Sequence, residues 1–126
     1  MLRRLLEIVC KEVDLPPAKE VERGRCFILP FAPGIEIKLS DLQPGVSMSA
    51  SLIACPKRNK EDLFIYVMEA NLLGQGTGSA RIGIENEELM LLSGFPYELD
   101  ASLFKDKLEE FLNTLLYWRK DLERFS

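Results

Sequence analysis

Histidine is missing from all 126 residues of the chain, which removes the commonest general base and the commonest metal ligand together. Most hydrolytic triads and zinc sites are excluded on that ground. Cysteine is scarce, and Cys10, Cys26 and Cys55 are odd in number, widely spaced and set among apolar residues, with no C-x-x-C pair. That usage fits a reducing, cytoplasmic compartment in which cysteine serves as a small apolar side chain. Long apolar runs are also lacking, since nothing approaches the ~18 residues of a membrane span. The first residues, MLRRLLEIVCKEV, interrupt their apolar positions with Glu7, Lys11 and Glu12, unlike the continuous stretch of a signal peptide. There is no excess of positive charge either. Sixteen Lys and Arg against 20 Asp and Glu give a formal net charge of -4, so no bulk field draws nucleic acid or anionic lipid.

What is present is an ordinary globular composition, 47% hydrophobic and 29% charged, which argues against a disordered or fibrous chain. The length fits a single domain over residues 1–126 that buries roughly 65% of the surface its unfolded form exposes.

Helical spacing opens the chain: Leu2, Leu5, Leu6, Val9, Cys10 and Val13 share one side, with Arg3, Arg4, Glu7, Lys11 and Glu12 mostly opposite. Pro16 and Pro17 end that amphipathic helix. A charged connector runs to Arg25. Three extended segments follow, CFIL at 26–29, IEIKL at 35–39 and VSMSASLIA at 46–54, punctuated by Pro33-Gly34 and Pro44-Gly45. In the last two, apolar residues alternate with charge or serine, the pattern of an antiparallel meander with one apolar face. From Asn59, KEDLFIYVMEANLLG returns to helical period, with Glu61 and Asp62 in the first turn and Gly74 as the stop. Its apolar residues go nearly all the way round, which predicts burial on more than one side. Next come ARIGI and ELMLLS, two strands separated by Glu85, Asn86 and Glu87. Leu89 to Leu92 make both faces of the second strand apolar, so it calls for cover on both sides. The final helix has Phe104, Leu108, Phe111, Leu115, Trp118, Leu122 and Phe125 in alternating steps of four and three. Asp100 is its N-cap, and Leu99 with Phe104 a hydrophobic staple. A coiled coil would also use that spacing, but Leu103, Leu112 and Leu116 widen the stripe to the breadth of a helix on a sheet. The expected fold is therefore α+β: helix, three-stranded antiparallel meander, helix, two strands and C-terminal helix, the sheet covered by helices.

Candidate chemistry is thin. The glycine-rich GQGTG at 74–78 ends a helix and opens a strand, whereas nucleotide-binding glycine loops follow a strand and open a helix. The adjacent carboxylates Glu87 and Glu88, or Glu109 and Glu110, point apart or into solvent. Cys55 has no histidine or other activating partner. Lys57, Arg58 and Lys60 lack interleaved aromatics and precede an acidic pair. No residue set meets the requirements for acid, base and electrophile, so an enzyme is not expected. A surplus of apolar patterning remains, which either one compact core absorbs or a self-association face and a peptide groove share.

The run from Glu69 to Leu122 carries Asn71-Leu72-Leu73-Gly74, the glycines to Gly78, Arg81-Ile82-Gly83, the entry Phe95-Pro96-Tyr97-Glu98-Leu99-Asp100 and the terminal Trp118-Arg119. Together they resemble the C-terminal half of the type III secretion chaperones of the Tir-chaperone (CesT, SycE) family, and the order of elements agrees along the whole chain. The resemblance implies a small, acidic, cytoplasmic bacterial protein, a homodimer or a heterodimer with a related chaperone. Such a chaperone holds the N-terminal region of a secreted effector as an extended segment and presents it to the secretion ATPase, with no enzymatic activity, no cofactor, no nucleic acid and no membrane insertion. It further implies a dimer interface at Phe64, Val67, Met68, Asn71, Leu72, Ile82 and Ile84. An effector groove would draw on Leu5, Val9, Phe27, Leu29, Ile37, Val46 and Met48. The competing reading is a non-enzymatic adaptor of the same fold that binds a folded partner in secretion control or transcription.

Overall fold

The computed structural model describes residues 2–73 and 80–125; the glycine-rich stretch and the helix stop assigned to Gly74 lie outside them. Helix α1 (Leu2–Glu12) buries Leu2, Leu5, Leu6, Val9 and Cys10. It ends before the prolines, because Asp14 takes a left-handed backbone (φ 56°) and the Leu15 N–H closes onto the Cys10 carbonyl at 2.9 Å.

Among the described residues, six strands then form one antiparallel sheet in the order β1-β2-β3-β4-β6-β5. They are β1 (Lys19–Glu22), β2 (Cys26–Ala32), β3 (Ile35–Asp41), β4 (Val46–Ala54), β5 (Arg81–Glu85) and β6 (Glu88–Phe95), with α2 (Lys60–Leu73) between β4 and β5. The meander, the second helix and the final pair of strands stand where the residue pattern puts them. Strand β1 is an addition, built from the charged connector. Every residue of Lys19–Glu22 is exposed, so no apolar alternation marks it. It exists through backbone pairing with β2, Lys19 opposite Ile28 and Glu20 opposite Phe27, and its charges are those of a protected sheet edge.

Register decides which face of each strand is dry. Val46 lies opposite Phe95 and Ala50 opposite Leu91, so Val46, Met48, Ala50 and Leu52 join Leu89, Leu91 and Phe95 in one buried layer. Helices cover that layer only. Met90 is half-buried and Leu92 is exposed on the other face, so the two-sided cover expected for this strand is not supplied among the described residues. The β5–β6 hairpin turns on Asn86 and Glu87, both with positive φ, the two-residue geometry that matches strand twist.

Helix α3 (Ala101–Asp121) packs its stripe inward, with Phe104, Leu108, Phe111, Leu115 and Trp118 buried against β4 and α1. It is a sheet-packing helix. Asp100 caps it by accepting the Leu103 N–H at 2.8 Å, and Leu99 and Phe104 are both buried beside that cap. A 3₁₀ turn, Leu122–Phe125, follows.

Candidate interaction surfaces

Helix α2 is apolar on all sides, and the fold uses only part of that surface. Leu63, Val67 and Ala70 enter the core. Ile65, Met68 and Leu72, at the i, i+3, i+7 spacing of one helical stripe, remain 56%, 59% and 78% exposed. Ile84 is also 57% exposed, on β5, the strand that neighbours α2. Asn71 ties the two elements together, bonding both the N–H and the carbonyl of Ile82.

Of the residues assigned to a dimer interface, Met68, Leu72 and Ile84 are therefore at the surface and Phe64 is half-buried. Val67 and Ile82 are interior residues, and the polar atoms of Asn71 are engaged within the chain. The exposed Ile65 was not assigned, although its spacing from Met68 and Leu72 marks it.

Two grooves flank α1. One, of about 580 Å³, lies between α1 and the β1–β2 edge; Leu6, Cys10, Leu15, Ala18 and Phe27 line it, with Arg3, Glu7, Lys11, Asp14 and Glu20. The other, of about 310 Å³, lies between α1 and α3, lined by Val9, Val13, Leu15, Phe31, Leu108, Leu112 and Leu116 with Lys105, Glu109 and Asn113. Among the seven residues assigned to a groove, all are buried, and only Phe27 and Val9 border one of these grooves, as parts of its wall. Leu5, Leu29, Ile37, Val46 and Met48 are core residues that line neither. The physical reason is that a strand covered on one face turns its apolar side toward the helices; a groove forms where the core runs out, at the α1 flanks.

Ionisable groups in this region are structural. Glu20 accepts from the Arg3 guanidinium at 2.5 Å and from the Gly24 N–H. The Gly24 bond, and then the Arg3 bond, hold its carboxyl below the usual range. Burial raises the Cys10 thiol, which keeps it a poor nucleophile. Among the described residues no group of three or more Cys, Asp or Glu has the arrangement of a metal site, and no helix is long and apolar enough to cross a membrane. Glu88, one of the paired carboxylates, accepts a hydrogen bond from the Ser51 hydroxyl.

The sheet thus has β1 and β5 at its edges, with an apolar groove beside β1 and a second between α1 and α3. A sequence profile of the Tir chaperone protein (CesT) family matches residues 4–119. The chain belongs to that family. Its members are non-enzymatic type III secretion chaperones. A Chlamydia pneumoniae relative, CPj0713/CpB0740, is 23% identical over 125 residues, 97% of this chain and 96% of that protein. The same CesT-type fold recurs in the ExsC–ExsE complex, with a TM-score of 0.74 at 14% identity, covering 94% of this chain and 91% of the other. It recurs again in the HopA1–SchA chaperone–effector complex, with a TM-score of 0.68 at 13% identity, covering 94% and 93%.

Proposed function

We propose that this CesT-family protein is a cytoplasmic secretion chaperone that holds the N-terminal region of a type III effector as an extended, non-globular segment. The observation that carries this reading is the open edge of β1, whose outer side has no strand neighbour among the described residues, lying beside the apolar groove between α1 and β1. A segment ordered on such a surface loses chain entropy and recovers it through apolar contact area. Backbone pairing at a strand edge adds affinity with little demand on sequence. That one structural neighbour is a chaperone bound to an effector supports the same kind of partner here.

The chain works as a dimer in this reading, with the Ile65, Met68, Leu72 and Ile84 surface as its contact. Exposed aliphatic side chains at that density on a small acidic protein are the mark of an interface. Release of the effector to the secretion ATPase completes the cycle.

Co-expression with secreted proteins of the same bacterium, followed by affinity recovery and limited proteolysis, tests the proposal. The expected product is a complex in which a stretch near the effector N-terminus is protected while lacking a fold of its own. Recovery only of an intact folded partner would instead establish the adaptor reading.

A further inference from the structure

The charge of this acidic chain is unevenly spread. Arg3 and Arg4 occupy the first turn of α1, which holds no acidic residue, although a helix start disfavours cations. Arg23 and Arg25 flank Gly24 in the β1–β2 turn. The fold brings the two pairs together: Glu20 bonds both Arg3 and the Gly24 N–H, and Arg3, Arg4, Glu7 and Gly24 border one surface depression. Arg3 and Glu7 also line the α1–β1 groove, so this corner is the end of that groove. All four arginines are exposed. Arg3 is matched by Glu20, whereas Arg4, Arg23 and Arg25 make no ion pair among the described residues. Glu7 is the remaining carboxylate that borders the depression.

From this juxtaposition we infer that the arginine corner selects client segments in which a cluster of Asp and Glu adjoins the apolar stretch lying in the α1–β1 groove. The inference rests on the proposed function. Guanidinium groups suit carboxylates because they present paired donors in a fixed plane. A peptide fits better than nucleic acid because the corner continues an apolar groove and a strand edge, and the chain as a whole is anionic. Apolar contact and backbone pairing hold the segment; the corner sets its register and accelerates its capture.

The test uses the full chain and fluorescent synthetic peptides that share one alternating apolar sequence. One set ends in Asp and Glu, at either terminus, and the other carries Asn and Gln at the same positions. The acidic set should bind about tenfold more tightly at low salt, the sum of several exposed ion pairs, and added salt should erase the difference. Arg23→Gln/Arg25→Gln, in an exposed turn, should remove that preference while leaving affinity for the amide peptides unchanged. Equal binding of both sets, or equal loss of both in the variant, overturns the inference and leaves the groove in place. Binding of neither set overturns the inference together with the groove reading. Tighter binding of single-stranded DNA than of the acidic peptide overturns the choice of a protein partner.

Discussion

Asn71 clamps Ile82 from both sides: its amide nitrogen donates to the Ile82 carbonyl at 2.8 Å, and its side-chain oxygen accepts the Ile82 N–H at 2.9 Å. The side chain thereby acts as one more strand residue for β5, joining α2 to the sheet without a strand in between. Asn71→Ala would leave both backbone groups of Ile82 without these partners, at a cost of about 2 kcal/mol. Urea unfolding should show a lower midpoint with an unchanged slope; a loss below about 0.5 kcal/mol would mean that the clamp contributes little.

Two neighbouring positions on α2 should behave in opposite ways. Met68 is exposed and Val67 is buried. Met68→Asp should therefore yield a folded monomer in sedimentation velocity, because the carboxylate would be desolvated only in a dimer. Val67→Asp places the charge in the chain's own core and should cost about 3 kcal/mol or more of folding stability. A Met68→Asp protein that stays dimeric would move the contact elsewhere.

Gly45 is required by its backbone. It sits at φ +102° in the β3–β4 turn, and a Cβ there would lie 2.0 Å from the Phe95 carbonyl oxygen. Gly45→Ala should destabilise by about 3 kcal/mol or more, since strain and overlap add. Thermal unfolding followed by circular dichroism is sufficient, and a melting temperature near that of the parent would contradict the geometry.

The Tyr66 hydroxyl donates to the Asp121 carboxylate at 2.6 Å, which raises its ionisation above the ordinary 10, with burial and the Asp121 charge adding to the effect. A raised value in the folded state means that the contribution to stability is complete below pH 10 and is lost as pH climbs through the folded value. Tyr66→Phe should cost about 1 kcal/mol at neutral pH and remove a component titrating above 10 from the phenolate absorbance. A lost component that titrates at the ordinary 10 would show that the hydroxyl is free in solution.

How much of this was legible depends on what each residue answers to. The stripe of α3 and the alternation of β3 and β4 follow local periods, and both elements stand where those periods put them. Strand β1 was not visible because an edge strand of charged residues gets its structure from a neighbour's backbone. Val67 and Met68 could not be told apart on a helix apolar all round, because the difference lies in where α3 and β5 sit. For the same reason Ile37, Val46 and Met48 read equally well as groove or as core.

By itself the chain determined the types and order of its elements apart from β1, and it removed histidine-based catalysis and metal binding, since residue type and spacing are local properties. Tertiary structure decided which apolar side chains remained in water, which strands stand at the sheet edges, and that Arg3 and Arg4 meet the turn carrying Arg23 and Arg25. Those outcomes depend on contacts between segments far apart along the chain, and burial is a property of the assembled neighbours rather than of any one stretch.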